Sequence, residues 1–524
     1  MVKFMNRFVS LSALLLTGAC AVGPDYVRPD VTTPGAFKET ATFNTALNQP
    51  VPAPETVAAI NAAPTPEAAR ALAKAKPQDD AVRGKWWETF GDDDLNKLEE
   101  QVASANQTVK AAEASFRQAR ALVAEARASF FPTVGATGSV SRGGGSSHIN
   151  SATGISSGGA PHNSYAASLD ASWVPDFWGK VRRELESSEA GAQASAANLA
   201  TATLSAQAEL AIDYLELRMA DEQKRLLEAS VAAYAKSLEI TQNQYKAGIV
   251  VSSDVLQAKT QLESAQAQLI DVGVARAQFE HAIAVLIGRA PADFSIVEIN
   301  NVPALPDTPD AVPSELLERR PDIASAERTV ASANAQIGVA EAAYFPDITL
   351  SASGGYNSST LANWFSLPNR FWSIGPTLAE TIFDAGLRSA QTEAAIATYD
   401  QTVANYRQTV LTAFQAVEDN LAQLRIYAQE AATLDAEVQD AKQSLEVSLN
   451  QYKSGTVSYL NVVTAQTASL NAELTALNVR KARLVSMATL IQNLGGGWHA
   501  SELDKPDVPQ GETTPLSILP PSVK

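Results

Sequence analysis

The chain has 524 residues, of which 45% are hydrophobic and 19% charged, and its 40 Lys and Arg against 57 Asp and Glu give a net charge of −17. This acidic balance excludes a basic nucleic-acid-binding protein as the default class. Cys20 is the only cysteine and the four histidines are scattered, which excludes a disulfide framework and a thiolate metal cluster. The sequence contains no nucleotide-binding or zinc-protease motif. We therefore expect no enzyme activity, cofactor or metal.

The N-terminus has the pattern of an export signal. Two basic residues precede a mostly apolar run over residues 8–16, and small residues precede Cys20. Since Cys20 would become the first residue after cleavage, we expect a lipoprotein signal peptide over residues 1–19 and acylation of Cys20. Thr17 departs from this pattern, because such signals usually carry Leu three residues before the cysteine. An ordinary signal peptide with an incidental cysteine is the alternative.

Hydrophobic spacing predicts long helices. Apolar or alanine side chains recur at intervals of three and four from Leu95 to Phe130, as on the seam of a coiled-coil-like helix. Two proline-free stretches predict helices of about 95 to 100 Å at 1.5 Å per residue, each ending at a Tyr-Lys-x-Gly helix stop. Shorter return helices and one further helix complete four helical columns. These predicted helices cover residues 184–246, 252–287, 318–344, 385–453 and 457–494.

Four short stretches alternate strictly between apolar and small polar residues, which is typical of membrane strands that face lipid on one side only. They are Val134 to Val140, Tyr165 to Trp173, Ile348 to Ala352 and Trp372 to Leu378. Four strands cannot close a barrel, so several chains must share one. Two chains would give eight strands with a filled bore, and three would give twelve strands with a lumen. We favour three, and the expected fold class is mostly α with membrane β.

The sequence repeats itself. The segment from Asn243 to Gly248 returns 207 residues later as Asn450 to Gly455, and Phe131-Pro132 returns as Phe345-Pro346. Each half therefore reads as a helix, two strands, a long helix and a return helix, an internal tandem repeat. The expected division is a signal peptide at 1–19, an extended N-terminal segment at 20–91, repeats at 92–300 and 301–500, and a Pro-rich tail at 501–524.

Several motifs resemble one family along most of the chain. Cys20 to Tyr26, Trp86-Trp87 followed by Phe90, Arg319 to Ile323, and Phe345-Pro346 are similar to the outer-membrane efflux lipoproteins of the TolC superfamily, the NodT and OprM group. The resemblance implies a trimeric 12-strand β-barrel continuous with a 12-column periplasmic α-helical barrel. It also implies the exit duct of a tripartite pump, which docks a periplasmic membrane-fusion adaptor and an inner-membrane RND-type transporter.

The same resemblance implies roles for the two hairpin turns. Gly248 and Ile249 in the first turn, and Gly455 and Thr456 in the second, match the tips that contact the adaptor in this family. The alternative is that the two glycines simply end helices.

The resemblance further implies a constriction close to these turns. Tyr452, Leu460, Asn461 and Thr464 match constricting positions, and Asp254 matches a carboxylate of the first hairpin. Family members often carry aspartate at one or both of the positions of Asn461 and Thr464, so an acidic ring here would depend on Asp254. A helix N-cap is the alternative role for Asp254.

The sequence thus predicts a passive, homotrimeric exit channel in the outer membrane of a Gram-negative bacterium. We expect lipid anchoring, contact with outer-membrane lipid and no nucleic-acid partner. The exit channel of a type I protein secretion system is one alternative, because it uses the same fold. A periplasmic coiled-coil scaffold without a pore is another, although it would not need the alternating strands.

Overall fold

The computed structural model is mostly helical. It describes residues 21–31, 33–39, 84–144, 148–149, 156–157, 161–299, 302–306 and 316–503. The chain folds into two compact units. Among the described residues, those within 1–30, 116–194 and 326–406 form the first unit, which contains the main sheet. Those within 31–115, 195–325 and 407–524 form the second unit, which contains both glycine hairpins.

Two long helices and two return helices have the lengths that the sequence predicts. Helices α3 (Lys180–Lys246) and α7 (Leu387–Lys453) each have 67 residues, which corresponds to about 100 Å. Helices α4 (Ser252–Leu286) and α8 (Tyr459–Asn493) each have 35 residues. The predicted bounds are confirmed to within about four residues, which is close to the ordinary uncertainty of helix ends.

The first predicted helix is interrupted, so the expectation of one helix over 95–130 is wrong. It divides into α1 (Asp93–Ala105) and α2 (Gln107–Ala128), with Asn106 between them in an extended conformation. The Asn106 side-chain oxygen accepts hydrogen bonds from the backbone N–H groups of Thr108, at 2.9 Å, and Val109, at 3.1 Å. Asn106 is therefore the N-cap of α2. The apolar spacing continues in phase across Asn106, so the hydrophobic pattern does not reveal the helix break.

The helix predicted over 318–344 is interrupted in the same way. It forms a short helix α5 (Leu316–Arg319) and α6 (Pro321–Ala342), with Arg320 between them. The proline ring at 321 disfavours helical geometry at the preceding residue, which explains the break.

Both interruptions bind the end of a return helix. The Asn106 amide donates to the carbonyl of Leu286, the last residue of α4, at 2.9 Å. The Arg320 guanidinium donates to the carbonyl of Asn493, the last residue of α8, also at 2.9 Å. Each contact satisfies a carbonyl that the helix leaves without an internal partner.

Four strands form one antiparallel sheet, in which they are neighbours in chain order. Their bounds are β1 (Thr133–Gly143), β4 (His162–Trp173), β5 (Asp347–Ser358) and β6 (Arg370–Ala379). All four predicted strands are confirmed, with extensions of up to six residues. Two-residue strands β2 (His148–Ile149) and β3 (Ser156–Ser157) pair with each other in a separate ribbon.

None of the helices in the described part of the chain combines the length and the apolar character needed to cross a membrane.

Candidate functional site

The main sheet has one apolar face. The register pairs Val134 with Ala171, Leu169 with Gly354, and Ala352 with Ile374, so these side chains point to the same side. The large members of this face are open to the surroundings, with Val134 71% exposed and Ile374 75% exposed. Such a large apolar face is unfavourable in water and is suited to contact with lipid.

The opposite face is polar and carries a small network around one carboxylate. The hydroxyl groups of Thr137 and Ser168 each donate to the Asp170 carboxylate at 2.8 Å. On the neighbouring strands, the hydroxyls of Ser353 and Ser373 lie 2.9 Å apart. Small hydroxyl side chains around a carboxylate make a face suited to contact with water.

The sheet also has two open edges. Strands β1 and β6 lie at its ends, and within the described residues each pairs with one neighbouring strand of this sheet only. Their outer N–H and C=O groups are available for pairing with a further strand.

The first glycine hairpin joins α3 to α4. Gly248 has a φ of 73°, and the N–H of Ile249 donates to the carbonyl of Gln244 at 2.9 Å. This is the hydrogen bond of a Schellman C-cap, so the capping role of Gly248 is present. Ile249 is 68% exposed, which leaves an apolar side chain at the tip.

The second hairpin joins α7 to α8 with the same geometry. Gly455 has a φ of 77°, and the N–H of Thr456 donates to the carbonyl of Gln451 at 3.0 Å. The Thr456 hydroxyl donates to the same carbonyl at 2.9 Å. Gly455 and Thr456 are both exposed, as Gly248 is, so the predicted adaptor-contact residues all lie at the surface of this chain.

Tyr452 occupies a different environment from the other predicted constriction residues. It is buried, its ring lies 5.2 Å from that of Tyr459 in an edge-on arrangement, and its hydroxyl lies 3.2 Å from that of Thr241. Ala258 and Val462 complete the cluster, which joins the two hairpins of one chain. Burial raises the pKa of Tyr452 and Tyr459, so both phenols stay neutral at physiological pH.

Three predicted constriction residues lie on an exposed face at the start of α8. Leu460 is 57% exposed, Asn461 and Thr464 are exposed, and the Thr464 hydroxyl donates to the carbonyl of Leu460 at 2.9 Å. The structure thus groups these three side chains and separates them from the buried Tyr452.

Asp254 lies in the first turn of α4 and is half-buried. The N-cap position belongs to Val251, and no side chain provides a capping hydrogen bond there. The N-cap alternative for Asp254 is therefore not the observed arrangement. A carboxylate in the first turn is still favoured by the helix dipole.

Cys20 lies outside the described residues, but the segment after it is firmly bound. We call residues 21–28 the N-terminal strap. The Arg183 guanidinium, whose side chain is 5% exposed, donates to the carbonyls of Val22 and Gly23 at 3.2 and 3.0 Å. It also pairs with Asp25 at 2.8 Å. The Val22 N–H donates to the carbonyl of Trp178 at 3.1 Å, so the strap is attached next to the start of α3.

A close approach to α6 fixes the strap further. Gly23 has a φ of 96°, and a Cβ at this position would lie 2.4 Å from the Cα of Gly338. Asn334, one turn earlier on α6, donates to the carbonyl of Pro24 at 2.9 Å. Only a pair of glycines permits this backbone-to-backbone contact. The sequence contains both residues, yet no local pattern indicates that they meet.

The chain is similar to known proteins along most of its length. The family model described as outer membrane efflux protein matches residues 98–289 and 312–496. The pyoverdine export outer membrane protein OpmQ of Pseudomonas aeruginosa is 30% identical over 79% of this chain and 88% of its own. Nodulation protein T of Rhizobium leguminosarum bv. trifolii is 29% identical over 88% and 91%.

The solved structure of the outer-membrane channel OprN gives a TM-score of 0.78 at 28% identity, covering 91% of this chain and all of that one. The resemblance to the NodT and OprM group is thereby confirmed, as is the expectation of a passive channel and not an enzyme. The two-faced sheet, the paired hairpins and these matches lead to one assignment. The chain belongs to the outer membrane efflux protein family.

Proposed function

We propose that the chain is the passive outer-membrane exit duct of a tripartite pump. It would export small molecules delivered by an inner-membrane RND-type transporter through a periplasmic adaptor. The observation that carries the proposal is the sheet with one apolar face, one polar face and two open edges, because a lipid-facing wall of a water-filled channel needs all three. A scaffold without a pore needs none of them.

In the proposed assembly, three chains form a 12-strand barrel continuous with a 12-column helical barrel. Strand β1 of one chain would pair with β6 of the next, which satisfies the edge groups that bilayer cannot solvate. We also propose that the halves at 92–300 and 301–500 are tandem repeats. The equivalent roles of Asn106 and Arg320 at the return-helix ends support this division. The flanking segments would be the signal peptide at 1–19, the N-terminal segment at 20–91 and the tail at 501–524.

Detergent-solubilised protein should be a trimer by mass, with no stable folded monomer, because each isolated chain exposes two strand edges. Native mass spectrometry measures this directly. Heat-modifiable gel mobility should accompany it, and a folded monomer or dimer as the main species would contradict the architecture.

The hairpin turns would meet the adaptor and close the duct. Three copies of Leu460 around a threefold axis would form an apolar constriction, and three copies of Asp254 would attract cations and repel anions. The exposed, adjacent positions of Leu460, Asn461 and Thr464 support a lumenal role, whereas the buried Tyr452 would hold the two hairpins together.

Single-channel recording in planar bilayers tests the channel and its constriction together. Wild-type protein should conduct, Leu460→Ala should raise conductance for ions of both signs, and Asp254→Asn should mainly lower the preference for cations. Asn461→Ala and Thr464→Ala are matched controls, since these residues are already uncharged, and should leave selectivity nearly unchanged. Wild-type behaviour of both Leu460→Ala and Asp254→Asn would place the constriction elsewhere.

Lipid attachment at Cys20 is the last part of the proposal. The strap fixes the chain from Val22 onward, so an acyl group on Cys20 would start close to the beginning of α3. Cys20→Ser should abolish incorporation of radiolabelled palmitate and leave the signal peptide uncleaved. The matched control Thr17→Leu should preserve or improve both. Wild-type protein that incorporates no palmitate, with processing unchanged in Cys20→Ser, would exclude the anchor.

A further inference from the structure

The second compact unit contains a cavity that the channel proposal does not use. It has a volume of about 430 Å³ and lies between α3, α7, α8 and the short segment 302–306. Its apolar walls include Leu226, Leu305 and Leu477. This volume is within the range of sites that hold small organic ligands. We name it the arginine pocket, after Arg480 and Arg483 on α8, which line it one turn apart.

Most of the other charges in the arginine pocket are already paired. Lys442 and Glu473 form an ion pair at 2.8 Å. Glu222 accepts a hydrogen bond at 3.0 Å from Arg225, which does not line the pocket. These contacts leave Arg480, Arg483 and Asp435 as the lining charges without an ion pair in the described part of the chain.

Arg483 is half-buried in the wall of the arginine pocket. Its Nε atom is buried and has no hydrogen-bond partner among the described residues. An Nε atom without accessible surface cannot itself reach a ligand in the pocket, so the terminal N–H groups of the half-buried Arg483 would make the contacts. For a guanidinium the natural acceptor is a carboxylate, which can receive two parallel N–H groups. A lysine would offer a point charge, whereas arginine offers a planar fork.

We propose that the arginine pocket binds a small amphipathic carboxylate. Its carboxylate would accept hydrogen bonds from Arg483 and Arg480, and its apolar body would lie against Leu226 and Leu477. Two guanidinium groups against one Asp435 carboxylate leave a single uncompensated positive charge, which matches a monoanion better than a doubly charged phosphate. This site is independent of the proposed duct, because none of the sheet or hairpin-tip residues lines it.

Fluorine NMR of the full-length protein in detergent tests the proposal. The probe is 4-(trifluoromethyl)benzoate, and the matched neutral probe is 4-(trifluoromethyl)benzamide, with protein-free micelles as the blank. The benzoate signal should broaden with protein and saturate, and the benzamide signal should not. Equal binding of both probes, or no saturable benzoate binding, would overturn the proposal.

Four variants locate the site. Arg483→Gln and Arg480→Gln should each weaken benzoate binding about tenfold or more. Asp435→Asn should tighten it, a gain that misfolding cannot produce, since the competing carboxylate is removed. Arg407→Gln is the control, because Arg407 is an exposed arginine of α7 that does not line the pocket. Wild-type affinity in both pocket arginine variants would overturn the assignment, as would an equal loss in Arg407→Gln.

Discussion

Replacing Gly495 by alanine is expected to destabilise the protein by about 3 kcal/mol or more. Gly495 has a φ of 98°, and an added Cβ would lie 2.1 Å from the carbonyl oxygen and 2.8 Å from the carbonyl carbon of Arg319. Both neighbours are backbone atoms, so the end of α8 would have to move away from α5. Thermal unfolding followed by helical circular dichroism in detergent measures the loss.

The chain supplies a matched control for this variant. Gly455 also has a positive φ, of 77°, but a Cβ there would meet no atom within 4 Å. Gly455→Ala should therefore cost only the backbone strain, about 1 kcal/mol. Gly288→Ala should behave like Gly495→Ala, because its Cβ would lie 2.5 Å from the carbonyl oxygen of Ala105. Equal losses at Gly495 and Gly455 would show that close packing at the helix end is unimportant.

Replacing Glu99 by glutamine is expected to stabilise the protein, and more so at about pH 8 than at about pH 5. Glu99 is fully buried in α1, neither carboxylate oxygen has a hydrogen-bond partner among the described residues, and burial raises its pKa to about 9. In the unfolded chain the pKa is close to the ordinary 4.5. The folded state therefore holds a proton that the unfolded state releases between these two values.

The contribution of Glu99 to the free energy of unfolding is greatest below its unfolded pKa. It falls by up to about 1.4 kcal/mol per pH unit as the pH rises towards 9, and it is constant above that. Glutamine cannot titrate, so the melting temperature of Glu99→Gln should fall less steeply between about pH 5 and pH 9. The control is Glu100→Gln, one residue along, where the side chain is exposed and paired with Lys85. Parallel pH profiles for wild type and Glu99→Gln would contradict a buried neutral carboxyl.

The long elements were predictable because their signals are local and repeated. Long stretches without proline, each followed by Tyr-Lys-x-Gly, define α3 and α7, and strict alternation defines the four strands. The breaks at Asn106 and Arg320 were not predicted. Asn106 leaves the apolar seam in phase, and Arg320 breaks a helix only because a proline follows it. A hydrophobic pattern that is read over a long window does not detect a helix break at a single residue.

The candidate site was predicted in part. The repeated turn motif placed Gly248 and Gly455 at the tips, where the structure has them. The burial of Tyr452 was not predictable, because it depends on Thr241 and Tyr459, one of which is about two hundred residues away in sequence. The burial of Glu99 was indicated by the sequence, because this carboxylate lies beside the seam residues Leu98 and Val102. Nothing local shows that Gly23 and Gly338 meet, since their contact joins segments that are distant in the chain.

The strap has a consequence for how the chain reaches a membrane. A flexible tether of about 20 residues lets an attached group range over roughly 25 Å. Here Val22 is hydrogen-bonded and Ala21 lies against Gly179, so a group on residue 20 is one residue, or about 3.8 Å, from a fixed point. An acyl group there would sample a volume smaller by roughly a few hundred-fold, and its effective concentration close to the start of α3 would be higher by the same factor. For an acylated chain, binding of the anchor and binding of the sheet to one bilayer would then be a single bivalent event.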